Sequence, residues 1–242
     1  MNAMEIKGLT KRYGDLTAVN GLDLMVCQGE LFALLGVNGA GKTTTIKMLS
    51  CLTRPDGGDA LLLGKSITKE PEEVKKLLAV SPQETAVAPK LTVRENLELM
   101  AGISGAGKEE TKRRISALCN QLGLEEVLPR PAGKLSGGWQ RRLSIAMALI
   151  LEPKILFLDE PTLGLDVLAR SALWDVIRGL KGELTIILTT HYMEEAEELS
   201  DRIGVMGAGQ LLQVGTAAEL KAVTGTDTLE KAFIALAKEA AR

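Results

Sequence analysis

The residues best suited to chemistry form the segment Gly36 to Thr43 (GVNGAGKT), which matches the P-loop pattern G-x-x-x-x-G-K-[ST]. An apolar run of strand length, Leu31 to Leu35, precedes it, and a helix-forming stretch from Thr44 to Leu49 follows. Glycines let backbone N–H groups turn toward a polyphosphate, and the start of a helix favours negative charge. We therefore predict a nucleoside triphosphate site, in which Lys42 reaches the β- and γ-phosphates and the Thr43 hydroxyl lies on Mg²⁺.

Two carboxylates, Asp159 and Glu160, follow the apolar strand Ile155 to Leu158. Ligands of open parallel sheets bind at the carboxyl ends of the strands, so these side chains are expected to face the P-loop. Hydrolysis of a metal-bound triphosphate needs one carboxylate to organise Mg²⁺ and a second group to orient or deprotonate water. We assign the first role to Asp159 and the second to Glu160. Acidic turns at strand ends are common, but a P-loop in the same chain favours the functional interpretation.

A third candidate is the segment Ser136-Gly137-Gly138, which begins a helix with apolar positions at Leu143 and Met147. Ser136 is expected to cap this helix, and the two glycines leave its first N–H groups open to an anion. By itself the pattern favours an ordinary serine cap with a glycine turn. Beside the P-loop and the Asp159-Glu160 pair it becomes the motif that decides the family.

Composition narrows the possible classes of protein. The chain has 242 residues, a formal net charge of −2 and 45% hydrophobic residues, so no broad surface for nucleic acid or anionic lipid is expected. Its three scattered cysteines argue against a disulfide framework or a zinc site. Met1 to Lys7 lacks an apolar signal core, and the longest apolar stretch found, Ile145 to Leu151, is far short of a membrane span. Any role at a membrane is expected to come through a partner.

The order of strand and helix patterns predicts one α/β domain over residues 1–242. Alternating residues in Leu22 to Val26 indicate antiparallel strands near the N-terminus, and later apolar runs indicate a mostly parallel sheet. Between about residues 84 and 150 the periodicity becomes helical, with a capping box at Thr92 and Glu95 and a helix stop at Gly123. We therefore predict a P-loop NTPase core with an antiparallel β subdomain, residues 1–83 and 151–242, and an inserted helical subdomain.

Taken in order, the motifs closely resemble the nucleotide-binding subunit of ATP-binding cassette (ABC) transporters. The resemblance spans nearly the whole chain, and the Ser-Gly-Gly segment separates this family from other P-loop NTPases. The residues that carry it are Tyr13, Gly36 to Thr43, Gln83, Leu135 to Gly138, Leu156 to Glu160, Gly164-Leu165-Asp166 and His191.

The resemblance implies that two cassettes pack head to tail, with each ATP between the P-loop of one and the Ser-Gly-Gly segment of the other. It implies catalytic roles for Glu160, His191 and Gln83, and Mg²⁺ ligation by Thr43, Gln83 and Asp159. Tyr13 would stack on adenine, and Asp166 would shape the dimer interface. Independently of the resemblance, Asp166 directly precedes the helical stretch Val167 to Leu180 and is expected to be its N-cap. The full set expected to contact ATP is Tyr13, Gly36, Asn38, Gly39, Ala40, Gly41, Lys42, Thr43, Thr44, Ser136, Gly137, Gly138 and Asp166.

Two positions depart from the family pattern. Trp139 stands where the family usually carries Gln or Met, which affects the local fit to the partner rather than phosphate binding. Val167 follows Asp166 where Pro is frequent, a minor difference. The segments Ser136 to Leu143, Thr190 to Ala196 and Leu229 to Phe233 resemble the exporter-type cassettes of the ABC-2 or multidrug group.

The sequence thus predicts an ATPase subunit that drives a separate integral membrane subunit, in a homodimer or heterodimer on the cytoplasmic face of the cell membrane. Export is the favoured direction, and nucleic acid is not an expected partner. An importer ATPase, a soluble ABC ATPase acting on nucleic acid or ribosomes, and a nucleotide-gated regulatory module remain alternatives. Glu160 and His191 argue against the regulatory module, because both would be dispensable for binding without turnover.

Overall fold

A computed structural model of the chain describes residues 1–240, and residues 241 and 242 of the predicted domain lie outside that range. It contains two sheets. The first is antiparallel, with strands in the order β2-β1-β4-β5, and the second has six strands in the order β10-β9-β3-β8-β7-β6. The strands are β1 (Asn2–Tyr13), β2 (Leu16–Cys27), β3 (Leu31–Leu35), β4 (Gly57–Leu62), β5 (Lys65–Ser66), β6 (Leu78–Ser81), β7 (Ile155–Asp159), β8 (Thr185–Thr190), β9 (Arg202–Gly207) and β10 (Gln210–Gly215).

Nine α-helices connect or flank these strands within residues 1–240. They are α1 (Lys42–Leu49), α2 (Pro71–Lys75), α3 (Val93–Ile103), α4 (Lys108–Leu122), α5 (Gly137–Leu149), α6 (Val167–Leu180), α7 (Met193–Leu199), α8 (Ala217–Thr224) and α9 (Leu229–Ala240). None of the helices in this described part is both long and apolar enough to cross a bilayer.

The six-stranded sheet is parallel from β6 to β9, and only β10 runs antiparallel to its neighbour. Strand β3 lies inside it, and all five of its residues are buried. Neighbouring β3 side chains enter different apolar clusters: Leu31 packs with the helices α3 to α6, whereas Phe32 packs with the antiparallel sheet and α1. Both faces are therefore covered, which is why the strand sequences are continuous apolar runs.

Local sequence explains the ends of several helices. Helix α3 begins at a capping box, in which Thr92 and Glu95 each accept a hydrogen bond from the other's backbone N–H. Helix α4 ends at Gly123, whose φ of 63° is in the left-handed region. Helices α3, α4 and α5 occupy the predicted helical stretch 84–150, and their apolar sides form one cluster with Leu156 and Leu158 of β7. Their independence as a subdomain stays a prediction.

The topology decides where the site can form. Strands β3, β8, β7 and β6 are parallel neighbours, so their carboxyl ends lie at one edge of the sheet. The chain leaving β3 there is the P-loop, β7 ends at Asp159, β8 ends just before His191, and β6 leads into Gln83.

Candidate functional site

The P-loop glycines are required by close backbone packing. A Cβ atom on Gly36 would lie 2.6 Å from the Met206 carbonyl oxygen, and one on Gly41 would lie 2.4 Å from the Ala18 carbonyl oxygen. Gly41 also has φ of 102°, which side chains rarely adopt. It immediately precedes Lys42, the first residue of α1, so the free N–H groups of the helix start lie beside the loop. The loop and helix therefore form an anion cradle.

Lys42 lies folded over this loop. Its side chain is 5% exposed, and Nζ donates hydrogen bonds to the carbonyl oxygens of Gly36 at 2.6 Å and Val37 at 3.3 Å. Nζ is also 3.1 Å from Glu160 Oε1, as a close ion pair. Glu160 Oε1 accepts no hydrogen bond of good geometry, so this carboxylate oxygen is buried with only the nearby ammonium charge to stabilise it. A phosphate that enters the cradle is negatively charged, like the Glu160 carboxylate, and so competes with Glu160 for the Lys42 ammonium.

Asp159 and Thr43 supply hard oxygen atoms next to the cradle. The Thr43 hydroxyl donates to Asp159 Oδ1 at 3.2 Å, and Thr189 of β8 donates to the same oxygen at 2.5 Å. Both are oxygen ligands of the kind that Mg²⁺ prefers, and Mg²⁺ usually takes only one or two protein ligands beside phosphate and water. The residues present therefore fit the metal predicted from the sequence.

Glu160 is held in a strained conformation. Its φ is 48°, in the left-handed region, and its N–H donates to the backbone oxygen of Thr189 at 3.1 Å and to the Thr189 hydroxyl at 3.1 Å. His191 Nδ1 lies 2.7 Å from Glu160 Oε2, a hydrogen bond in which an ionised Glu160 accepts from the ring N–H. Lys42 and His191 thus contact different oxygens of one buried carboxylate.

The P-loop, Glu160 and His191 share an open cleft of about 620 Å³. Gln83 lines it from the loop after β6, and Tyr13, 48% exposed, lines it from the end of β1. The predicted ATP contacts among its lining residues are Tyr13, Asn38, Gly39, Ala40, Gly41, Lys42, Thr43 and Thr44. Gly36 lies next to this wall, within hydrogen-bond reach of Lys42.

Ser136, Gly137, Gly138 and Asp166 do not line that cleft. Ser136 and Gly138 border a separate hollow of about 200 Å³, together with Trp139. Asp166 accepts a hydrogen bond from the Ala169 N–H at 2.8 Å and caps α6, as its position predicts. The structure therefore divides the predicted ATP contacts of one chain between two places.

The capping hydrogen bond predicted for Ser136 is not formed. Ser136 has the extended backbone of an N-cap residue, but its side chain makes no hydrogen bond with α5 and is exposed to solvent. The N–H groups at the start of α5 thus have no side-chain cap from Ser136. Beside them, Trp139 carries the Arg142 guanidinium 4.7 Å from its ring centroid.

Arg141 was not predicted as a functional residue from the sequence. It lies on α5, shortly after the Ser136–Gly138 segment, and contacts the loop that carries Gln83 into the cleft. The side chain is buried, because only 5% of it is exposed, and it donates hydrogen bonds to the carbonyl oxygens of Pro82 at 2.6 Å and Gln83 at 2.5 Å. Burial lowers the pKa of Arg141 from its ordinary value, since desolvation disfavours the charged form. The only feature of the sequence that could have indicated this buried role is the position of Arg141 in an apolar helix, five residues after Ser136.

A model of the ABC transporter family matches residues 19–163, more than half of the chain. The chain belongs to the ABC transporter family. The recognition made from the motifs is therefore confirmed, as are the predicted α/β P-loop fold and the ATPase activity.

Named relatives agree with this assignment. The daunorubicin/doxorubicin resistance ATP-binding protein DrrA of Streptomyces peucetius is 42% identical, over 94% of this chain and 69% of its own length. The Nod factor export ATP-binding protein I of Burkholderia orbicola is 40% identical, over 94% of this chain and 75% of its own length. Both are similar proteins whose names describe an ATP-binding component.

Solved ABC structures share the fold. The ATP-binding subunit of an ABC transporter superimposes with a TM-score of 0.85 at 31% identity, covering 97% of this chain and 99% of the other. A cassette in its ADP conformation also gives a TM-score of 0.85, at 25% identity, covering 97% of this chain and 99% of the other. This chain is thus the ATP-binding and ATP-hydrolysing subunit of an ABC transporter, in a family whose ATPase subunits dimerise and work with membrane subunits.

Proposed function

We propose that this subunit hydrolyses ATP in a composite site, built from the P-loop cleft of one chain and the Ser136–Gly138 segment of a second ATPase subunit. The observation that carries the proposal is the buried Glu160 carboxylate, placed between Lys42 and His191 at the wall of the cleft. Hydrolysis needs a group that orients or deprotonates water beside the γ-phosphate. Glu160 is assigned that role.

The other residues of the cleft bind and orient the nucleotide. The P-loop N–H groups and Lys42 hold the β- and γ-phosphates, and Tyr13 stacks on adenine. When the phosphate binds Lys42, Glu160 loses the ion pair with its nearest cation. His191 then holds one oxygen of the Glu160 carboxylate and directs the other oxygen toward water.

Thr43, Asp159 and Gln83 are the residues proposed to hold Mg²⁺. Bound there, the ion neutralises charge on the phosphate oxygens during transfer. The Thr189 hydroxyl fixes Asp159 in place from the neighbouring strand. Gln83 lies on a loop between the cleft and the helical block, so it is placed to respond to both.

Dimer closure supplies the second half of the site. The exposed Ser136 hydroxyl and the N–H groups at the start of α5 make no capping hydrogen bond with each other within residues 1–240. These donors therefore suit the γ-phosphate of ATP bound to a partner. Asp166 caps the neighbouring helix α6 and places its loop at the same surface. ATP would then favour the closed dimer by its contacts with both chains, and loss of the γ-phosphate would release it.

The proposed partner beyond the second ATPase, which is either another copy or a related chain, is an integral membrane subunit on whose cytoplasmic side this chain acts. Export is the proposed direction, because similar proteins carry names for drug resistance and for Nod factor export. Purification together with an integral membrane protein, and stimulation of ATP hydrolysis by it, would support this assignment. ATP-driven accumulation of substrate inside everted vesicles, whose cytoplasmic face is turned outward, would distinguish an exporter from an importer and from a soluble ABC ATPase.

The test of the composite site is Glu160→Gln. We expect the variant to bind ATP, to form a stable ATP-dependent dimer and to lose turnover by on the order of a hundredfold or more, because the amide cannot accept a proton from water. Glu194→Gln, which removes an exposed carboxylate from α7, is the matched control. Hydrolysis at the wild-type rate by Glu160→Gln would show that Glu160 is not the base.

The contribution in trans has a separate test. Ser136→Arg, made in the Glu160→Gln background, should leave ATP binding to the monomer intact and prevent ATP-driven pairing in light scattering. Ser104→Arg, an exposed serine at the end of α3, controls for the added charge and bulk. Unchanged pairing of the Ser136 variant would remove the second half of the proposed site.

A further inference from the structure

Helix α7 carries a carboxyl group that the proposed mechanism does not use. Glu195 is fully buried, and its Oε1 atom accepts a hydrogen bond from the Trp174 indole N–H at 3.1 Å. Its Oε2 atom completes no hydrogen bond. Across residues 1–240, no lysine, arginine or histidine forms an ion pair with it. A buried carboxylate without a cation is costly, and proteins avoid that cost by keeping the group protonated.

Two threonine hydroxyls face this carboxyl group, and both lie next to the catalytic residues. Thr162 is two residues after Glu160, and Thr190 directly precedes His191. Thr162 is fully buried, and its hydroxyl, like Glu195 Oε2, lacks a completed hydrogen bond. A carboxylic acid proton is a donor that can serve one hydroxyl while its carbonyl oxygen accepts from another donor. A neutral Glu195 therefore allows both the Thr162 hydroxyl and Glu195 Oε2 to take part in hydrogen bonds within one network.

Burial and a neighbouring carboxylate favour the neutral form of the Glu195 carboxyl group. Burial is the largest cause that raises the pKa of Glu195, and the nearby Glu160 carboxylate raises it further. The hydrogen bond from the Trp174 indole N–H and the nearby hydroxyls of Thr190 and Thr162 act in the opposite direction and are outweighed. Strand β3 and helix α9 both pack on α7, and they contribute Ala33, Leu35, Phe233 and Leu236 to one apolar cluster with Ala196.

Arg141 of α5 is a charged neighbour, and its pKa is lowered by burial against smaller raising effects of Asp159 and Glu195. Its guanidinium makes its hydrogen bonds with the carbonyl oxygens of Pro82 and Gln83 instead. It therefore gives Glu195 no direct hydrogen-bonded counter-ion.

We propose that Glu195 is a neutral carboxylic acid in the folded chain and a positioning residue, which joins the loop after Glu160, the end of β8 before His191, and Trp174 of α6. The proposal rests on the roles proposed above for Glu160 and His191. Because Glu160 and His191 directly follow the ends of two neighbouring strands, their 2.7 Å contact depends on the spacing of those strand ends. The hydrogen-bond network of Glu195 fixes the spacing of these strand ends, because it contacts the chain next to both of them.

Turnover tests the positioning role. Glu195→Gln keeps one acceptor and one donor in the same shape, so we expect kcat within about twofold of wild type. Glu195→Ala removes the network, and we expect kcat to fall about tenfold or more with little change in the KM for ATP, as for other outer residues that orient a reactive group. Glu194→Ala, on the exposed side of the same helix, is the control. A Gln variant as inactive as the Ala variant, or a fully active Ala variant, would overturn the proposal.

Unfolding tests the protonation state without using activity, and so remains decisive if Glu195→Ala does not fold. A carboxyl group with a raised folded-state pKa binds a proton in the folded chain that it has lost in the unfolded chain, so it stabilises the fold less as pH rises. Above pH 4.5, the ordinary value for this group, the unfolding equilibrium constant of wild type should rise by about tenfold per pH unit relative to Glu195→Gln, until the folded-state pKa is reached. Parallel urea-unfolding profiles for the two proteins would show that Glu195 is ionised.

These outcomes separate this proposal from the one it rests on. If Glu160→Gln turns over ATP at the wild-type rate while the Glu195 variants behave as expected, the base is wrongly assigned and the Glu195 network still orders the site. If Glu160→Gln is inactive while Glu195→Gln and Glu195→Ala are equally affected, the base stands and the network proposal fails.

Discussion

The P-loop and the Ser136–Gly138 segment both place glycines at the start of a helix, yet the surroundings of those glycines differ. Around the P-loop the backbone leaves no space: a Cβ atom on Gly41 would meet a carbonyl oxygen at 2.4 Å. At Gly137 the nearest atom to an added Cβ is a Leu165 methyl carbon at 3.7 Å, an ordinary contact. The fold of this chain requires Gly41 but does not require Gly137. We expect any close contact at Gly137 to come from a partner subunit and not from this chain.

The largest effect expected from this contrast is on Gly41. Gly41→Ala must move the Ala18 carbonyl or distort the loop, since φ of 102° is strained for alanine. We expect loss of measurable ATP binding, loss of turnover and a lower melting temperature. Binding of a fluorescent ATP analogue and thermal unfolding measure these effects.

Gly137→Ala should behave in the opposite way in the isolated chain. Alanine fits the space, and replacing glycine at a compatible helix position stabilises by roughly 0.4–1 kcal/mol. We expect unchanged ATP binding and an equal or higher melting temperature, together with reduced turnover and reduced ATP-driven pairing. Normal turnover in Gly137→Ala would show that the added methyl group disturbs no contact with a partner subunit.

An intermediate effect is expected at Arg141, the link between the two regions. Arg141→Met keeps apolar bulk in α5 but leaves the carbonyl oxygens of Pro82 and Gln83 without their donor, so the loop that carries Gln83 loses its attachment to the helix. We expect kcat to fall about tenfold and the Mg²⁺ concentration for half-maximal activity to rise, because Gln83 is no longer held at the cleft. Arg114→Gln is the control, since Arg114 donates to the carbonyl oxygen of Ile150, away from that loop. An unchanged Mg²⁺ requirement in Arg141→Met would mean that Arg141 only supports the fold.

The smallest effect is expected at Tyr13, at the edge of the cleft. The ring is 48% exposed, with the Lys11 ammonium 5.6 Å from its centroid. Stacking of aromatic rings adds about 0.5–1.5 kcal/mol, so Tyr13→Leu should raise the KM for ATP by roughly two- to tenfold with kcat unchanged. Tyr13→Phe should match wild type, because the proposed contact uses the ring face. Equal KM values for all three proteins would place adenine elsewhere.

Much of the cleft was predictable because its chemistry is local in sequence. The P-loop lies between a strand and a helix, and Asp159 and Glu160 directly follow an apolar strand, so type and order were sufficient. Asp166 was predicted as an N-cap and is one, because capping depends on residues three apart.

Other features depend on contacts between distant residues and left no trace in the sequence pattern. The order of the six strands, the burial of Arg141 and the enclosure of Glu195 in an acidic helix arise only once the sheet is assembled. The cap predicted for Ser136 failed because its side chain faces solvent instead of the helix start. Helix α2 was also missed, since its five residues are too few for a periodic pattern.

In the proposed dimer, the P-loop of one chain and the Ser136–Gly138 segment of another bind the same ATP. The most direct test of this arrangement is cross-linking between two tagged chains of different mass, one with Val37→Cys, exposed in the P-loop, and one with Ser136→Cys. Both chains carry Glu160→Gln to hold the dimer, and Cys27→Ser to remove the exposed native thiol. We expect an ATP-dependent product with the mass of one chain of each kind. Chains that pair in the presence of ATP but give no such product would contradict this arrangement.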